Sequence, residues 1–154
     1  MRIWKMNLLL VAALAGFVLT GCKSDGDENA GATSLAQPVT ILERVSGDSA
    51  ALKDLGSYHI ETQAQFDALG DAEIFPGEVD FDTNDLVIVA LGERSTGGFA
   101  VKINSIQLSG GELAITGEAT KPAETDAVTQ ALTYPYSAVL IPNTSADVVV
   151  PYID

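Results

Sequence analysis

Four short stretches of the chain hold residue types that chemistry uses. The first, Gly92-Glu93-Arg94-Ser95-Thr96-Gly97-Gly98-Phe99, combines glycines with hydroxyls and a cation. A phosphate-binding loop has that flavour, but no Gly-Lys-Ser/Thr sequence is present. The residues after it also read as a strand, where a nucleotide site needs a helix N-terminus. The stretch reads instead as a tight reversal in which Gly97 or Gly98 takes positive φ. An exposed, rigid loop of this kind suits contact with a partner. Arg94 either pairs with a nearby carboxylate or reaches that partner. The second stretch, Gln130-Ala131-Leu132-Thr133-Tyr134-Pro135-Tyr136, sets two tyrosines around a proline. An aromatic residue before proline raises the chance of a cis bond. Either both tyrosines serve as interface anchors, or one packs inward and caps the core.

The other two stretches point to structure more than to catalysis. Asp80-Phe81-Asp82-Thr83-Asn84-Asp85 opens like a calcium loop. An EF-hand needs Gly at the sixth position and Glu at the twelfth, and these are Asp85 and Leu91. The expected role is an Asx turn leading into the next strand, with Phe81 anchored in the core; a calcium site of another kind is the lesser alternative. His59 is the single histidine. No Ser or Cys nucleophile is set beside it by a motif, and no Gly-x-Ser-x-Gly elbow exists. It is expected as a hydrogen-bonded histidine on a strand. Acidic residues are plentiful, yet none sits in a setting that would raise a pKa for glycoside hydrolysis. The sequence assigns no catalytic residue, no metal ligand and no cofactor.

The elements that must position these stretches are mostly strands. Val39-Thr40-Ile41-Leu42 is β-branched and apolar, a strand by pattern. Ala50 to Gly56 is ambiguous, and Ser57 to Glu61 reads as a short strand. Thr62 and Gln65 hold the N-cap and reciprocal capping-box positions of a helix over about 63–69. Phe66 and Leu69 share its inner side, and Gly70 ends it. Leu86 to Leu91 is a continuous apolar run, the mark of a strand buried on both faces. Phe99 to Leu108 and Leu113 to Ala119 alternate around Ser109-Gly110-Gly111-Glu112, which predicts a hairpin. Ala138 to Ile141 and Asp147 to Tyr152 supply two further strands. Pro142 and Pro151 are expected at strand ends. The fold class is α+β, predominantly antiparallel β, as a sandwich or curled sheet with one short helix.

The N-terminus reads as an address. Arg2 and Lys5 precede an uncharged apolar run from Leu8 to Leu19. As a helix that run spans roughly 18 Å, short of a ~30 Å hydrocarbon core, so it reads as a signal h-region. It ends in Leu19-Thr20-Gly21-Cys22, which resembles the bacterial lipobox. That resemblance implies diacylglycerol on the Cys22 thiol and removal of residues 1–21. Each buried acyl CH₂ contributes about 0.8 kcal/mol, so two or three chains hold firmly. The other reading is cleavage elsewhere with Cys22 left as a free thiol. The absence of Asp at position 23 fits sorting to an outer membrane where the cell has one. Residues 22–37 are polar and acidic, a flexible tether of about 20 Å r.m.s. reach; Asp25, Asp27 and Glu28 read there as solvated linker. Residues 38–154 form a single β-rich domain. The chain carries 154 residues and a formal charge of −13, with 21 acids, one Cys and one His. That length supports one domain. The charge opposes nucleic-acid binding, and the Cys and His counts exclude an internal disulfide and a Cys/His zinc site.

Taken together, the run Leu86 to Gln107, the strand from Leu113 to Pro122 and the run Val128 to Pro142 resemble the C-terminal domain of PrcB-like protease-complex subunits. The positions that carry the resemblance are Gly92, Arg94, Thr96, Gly97, Gly98, Phe99, Pro122, Gln130, Thr133, Pro135 and Tyr136. Phe99 stands where the family usually has Tyr, and Ser95 where it usually has Pro. The resemblance spans about residues 79–142. It implies a secreted, often lipid-anchored, non-catalytic accessory protein; the family takes its name from a member that stabilises a cell-surface serine protease. The expected partners are a membrane, through lipid on Cys22, and a surface or periplasmic protein. The partner-binding loops are then Arg94, Ser95, Thr96, Gly97, Gly98 and Phe99 with Gln130, Thr133, Tyr134, Pro135 and Tyr136. A second reading is a protease inhibitor, since Ser95 to Phe99 is loosely similar to a loop of the chagasin-like inhibitors of cysteine proteases. A third, a hydrolase using acidic residues, has no motif behind it.

Overall fold

The computed structural model describes residues 35–146 and 148–154. The signal segment, Cys22 and most of the tether lie outside the described residues. The run from Leu86 sits in β4 (Asn84–Leu91), whose residues from Asp85 onward are all buried. Its even-numbered side chains Leu86, Ile88 and Ala90 enter one apolar cluster, and its odd-numbered Val87, Val89 and Leu91 enter another. A period of two sends successive side chains to opposite faces, so an unbroken apolar run is what a strand between two cores requires.

Two four-stranded sheets build these cores. One has the order β2 (Glu43–Asp48), β7 (Pro135–Pro142), β4, β3 (Leu55–Ile60), all antiparallel. The other has the order β1 (Gln37–Val39), β5 (Ala100–Ser109), β6 (Glu112–Thr120), β8 (Val148–Ile153). Its last pair, β6 with β8, is parallel. Val101, Ile103, Ile106, Leu113 and Ile115 of the second sheet pack with Val139 and Ile141 against the odd face of β4. The even face is covered by Leu52, Phe66, Ile74, Phe75 and Val79, contributed by α1 (Gln63–Ala68), a single 3-10 turn at Ala72–Ile74 and the adjoining loops. The expected α+β class with mostly antiparallel strands is what forms.

Several local readings hold in detail. Thr62 caps α1, accepting from the Gln65 amide, while the Gln65 side chain accepts from the Thr62 amide. The hairpin β5–β6 turns through Gly110 and Gly111, both at positive φ, the backbone of a type I′ turn. Two readings need correction, and one strand gave no signal in the sequence. The apolar run Val39 to Leu42 is not one strand. β1 ends at Val39 in one sheet, and the chain crosses to the other sheet to begin β2. Val39, in β1, and Ile41, in the crossing, both line the core, which explains the apolar type of Ile41 without a strand. β2 itself, Glu-Arg-Val-Ser-Gly-Asp, is mostly exposed and carries little apolar signal; pairing with β7 makes it a strand. Pro151 lies inside β8, where the edge position lets its ring nitrogen go without a ladder bond.

A shift of register between Ile103 and Ser105 interrupts the β5–β6 ladder. Such an irregularity frees backbone groups. Arg44 of β2 donates to the carbonyls of Ile103 and of Asn104, the latter at 3.0 Å. Ser137 Oγ of β7 accepts from the Ile103 amide at 3.4 Å. The opposite sheet thus satisfies what the shift exposes, and the two sheets are joined by polar as well as apolar contacts. Among the described residues no helix is long and apolar enough to cross a membrane.

Candidate functional site: a basic pocket where two loops meet

The loop after β4 and the segment before β7 are far apart in sequence and adjacent in space. The Arg94 amide donates to the Thr133 carbonyl at 2.8 Å, and the Thr133 amide returns a bond at 2.9 Å. Thr133 Oγ1 donates to the Thr96 carbonyl at 2.8 Å. The Gly97 amide donates to the Thr129 carbonyl at 3.0 Å. Tyr134 Oη donates to the Glu93 carboxylate at 3.1 Å, and the Tyr134 amide to Asp48 at 2.7 Å. The Glu93 carboxylate on its hydroxyl holds the Tyr134 phenol above the ordinary tyrosine range. These bonds make one rigid edge of the two stretches that the sequence singled out.

The glycines make the close approach possible. Gly98 has φ of 86°, the left-handed region that costs an L-residue about 1–2 kcal/mol. A Cβ there would also lie 2.9 Å from Pro122 Cβ and 3.0 Å from Val128 Cγ1. A Cβ on Gly97 would lie 2.4 Å from Thr129 Oγ1. Of the two glycines for which positive φ was expected, Gly98 takes it; Gly97 is needed for space.

Arg94 is the chemical centre of this edge. Its guanidinium carbon lies 5.5 Å from the centroid of the Phe99 ring, within cation–π range. Its Nε is buried and has no hydrogen-bond partner. No carboxylate pairs with it among the described residues, where the ion pairs are His59–Asp85 and Lys102–Glu118. The expected alternative of a carboxylate partner within the chain is therefore not taken. Arg94 lines a surface pocket of about 540 Å³ with Glu93, Ser95, Phe99, Lys121 and Leu132. Leu132 is an exposed large apolar side chain.

The remaining residues of the two expected partner loops divide by burial. Ser95, Gly98 and Gln130 are exposed; Thr96, Gly97, Phe99, Thr133 and Tyr134 are half-buried. Pro135 and Tyr136 are buried, so they are not presented to a partner. Tyr136 Oη donates to the Ile74 carbonyl at 2.9 Å, and burial pushes its phenol up. Of the two roles open to these tyrosines, Tyr136 caps the core and Tyr134 faces outward. No peptide bond is cis among the described residues, so the proline bond is trans. Lys121 and Leu132 escaped the sequence reading. Their nearest signal was scarcity: Lys121 is one of six basic residues from Cys22 onward, and Leu132 is an apolar residue in a polar segment.

At the other end of β4 the polar groups close on one another. Asp85 is buried; its Oδ2 lies 3.1 Å from His59 Nε2 and accepts from the Thr144 amide at 2.8 Å and the Thr144 hydroxyl at 3.1 Å. Glu61 adds a third carboxylate or imidazole atom within 4.8 Å of the other two. That spacing approaches a metal's ligand set, but Oδ2 of Asp85 is already saturated by donors, and the arrangement works as a clamp on the loop after β7. The hydrogen-bonded role expected for His59 is the one it has. In the neighbouring loop the Asp82 amide donates to Asp80 Oδ1 at 3.0 Å, the expected Asx turn. Phe81 packs on the core beside Phe66, with ring centroids 6.1 Å apart.

No curated protein and no solved structure matches the chain. A family model does: the one described as PrcB C-terminal matches residues 86–142. That interval opens in β4, takes in the Arg94 loop and the β5–β6 hairpin, and closes with β7. Residues 86–142, which hold the whole of the two-loop edge, are thus similar to the PrcB C-terminal family.

Proposed function

We propose that this protein is a non-catalytic accessory subunit of an extracytoplasmic protein complex, with a protease as its partner. The observation that carries the reading is the joined edge at Arg94 and Thr133, which lies wholly within the family-matched residues. The loops are tied to each other and to the sheets by backbone bonds, so little order is lost when a partner docks on them. Cys22, lipidated at the lipobox-like sequence, holds the domain at a membrane surface. The partner does the chemistry; this chain prolongs the partner's life or positions it.

The test is recovery of the lipidated protein from gently solubilised envelopes, followed by deletion of its gene. One protease recovered in constant ratio, with a half-life that falls on deletion, supports the reading. If deletion leaves every envelope protease unchanged and no protein is co-recovered, the accessory role is wrong. A dose-dependent loss of papain-type activity on adding the purified protein would replace it with the inhibitor reading.

A further inference from the structure

The pocket at Arg94 has a chemistry specific enough to say what enters it. The chain is strongly acidic, yet two of its few cations, Arg94 and Lys121, line one pocket and form no ion pair among the described residues. The other arginine from Cys22 onward, Arg44, has its head occupied by two backbone carbonyls. Lys102, paired across the hairpin with Glu118 at 3.8 Å, has an acid to face. Arg94 has only the Phe99 ring and an unpaired, buried Nε. The Nε is shut away from solvent, so an anion entering the pocket meets the two Nη groups, which no carboxylate of the described residues holds. Glu93, the acid on the rim, is engaged by the Tyr134 hydroxyl at 3.1 Å.

The apolar wall narrows the class of anion. Leu132 is 57% exposed and shares the pocket with Phe99 and both cations. A phosphate or an isolated carboxylate would leave that wall wet. A polypeptide end carries its carboxylate and its last side chain on the same Cα, and so offers a charge and an apolar group side by side. An Asp or Glu inside a chain carries its carboxylate on a short methylene stem, with a polar peptide unit on both sides and no large apolar group on the same Cα. Resting on the accessory-subunit reading above, we propose that the Arg94–Lys121 pocket receives the C-terminal carboxylate of a partner polypeptide whose last residue is apolar. The carboxylate lies on the Arg94 guanidinium and the Lys121 ammonium, and the last side chain packs on Leu132. Arginine suits this role because its planar fork can donate two parallel bonds to one carboxylate. The protein's overall negative charge opposes the approach of an anion, but at physiological salt that field is screened beyond about 8 Å. At contact distance two cations stand against the single rim carboxylate of Glu93, and the local balance favours the anion.

The test uses the full chain, purified in detergent, and an array of fluorescein-labelled octapeptides ending in Leu, Val, Phe or Ala. Each peptide is made as the free acid and as the C-terminal amide. Fluorescence polarisation is expected to show binding of free acids, weakened about tenfold or more by amidation. Arg94→Ala and Arg94→Lys should both weaken the acid, and Leu132→Ser should remove the preference for an apolar last residue. Lys102→Ala, which alters a cation outside the pocket, should leave binding unchanged. Equal binding of acid and amide overturns the proposal without any variant, so a misfolded mutant cannot shelter it. Absence of binding by every free acid overturns it too, as does equal binding of amidated peptides with an internal Asp. If peptides fail while a protease is still co-recovered from envelopes, the pocket assignment falls and the accessory role stands. If peptides bind and no protease is recovered, the reverse holds.

Discussion

The two ends of β4 do opposite things with polar side chains. At its start, buried Asp85 accepts from the Thr144 amide and hydroxyl and pairs with His59. Just past its end, Arg94 keeps an Nε with no acceptor at all. One strand runs between them, and its apolar residues are buried on two faces. A polar group that folding has fully satisfied has nothing left to offer a partner. A polar group held rigidly and left unpaired has been placed at a cost to stability. On the proposal above, the difference separates the structural end of the strand from the end that meets a partner.

The largest effect should come from breaking the closed end. Asp85→Ala strands the Thr144 amide and the His59 ring inside a nearly dry corner. A cost of about 3 kcal/mol is expected, since bonds to a charged group are worth about 1.5–3 kcal/mol each. Arg94→Ala at the open end removes one cation–π contact, worth about 0.5–1 kcal/mol at an accessible site, and relieves an orphaned donor. Urea unfolding of both variants measures the contrast. If Arg94→Ala destabilises as much as Asp85→Ala, the guanidinium is a structural group and the two ends are alike.

A smaller effect tests whether the open end is rigid by design. Gly98→Ala forces an L-residue to φ of 86° and drives a methyl towards Pro122 and Val128. Its cost is expected near 2 kcal/mol from the backbone and crowding together. The loop should also lose its register on Thr129 and Thr133, so hydrogen exchange at the Gly97 and Thr133 amides should speed up while the β4 amides stay protected. Unchanged exchange at those two amides would mean that the glycine pair does not hold the edge.

What could be read from the residues alone follows the same division. Patterns that are local in sequence were legible: the capping box at Thr62 and Gln65, the glycine turn of the β5–β6 hairpin, the two-faced run of β4 and the Asx turn at Asp80. Each depends on residues a few positions apart. What depends on distant pairing was not. β2 has too few apolar residues to declare itself and exists because β7 lies beside it. The apolar residues from Val39 to Leu42 looked like one strand because core burial and strand formation leave the same mark on Val and Ile. Both loops of the candidate site stood out through their glycines and aromatics, but Lys121 joins them only through the turn of the hairpin and the course of the chain after β6. No spacing rule brings a lysine from the end of one strand to an arginine at the end of another.

The smallest effect asks how far a closed polar site depends on burial. On the covered face of the first sheet, Asp71 accepts from the Ser49 hydroxyl and the Glu73 amide. The Ser49 bond first, then the Glu73 amide, holds its carboxyl below the ordinary aspartate range. A carboxyl whose pKa is lower in the folded state stabilises the fold above its unfolded value of about 3.9. That contribution is lost as pH falls below 3.9 through the lower folded value. Asp71→Asn keeps an oxygen for the Glu73 amide, sets an NH2 against the Ser49 hydroxyl, which can accept from it, and removes the charge. The stability gap between the natural protein and Asp71→Asn should therefore be full at pH 6 and close as the pH falls below about 3.9. Because Asp71 is only half-buried, the gap should be well under that of Asp85→Ala and should shrink in high salt, as exposed charges are screened. Denaturant midpoints at pH 6 and pH 3, with and without salt, measure both trends. A gap that persists unchanged to pH 3 would show that the shape of the side chain, and not its charge, does the holding at Asp71; burial would then be what gives Asp85 its larger hold on the opposite face.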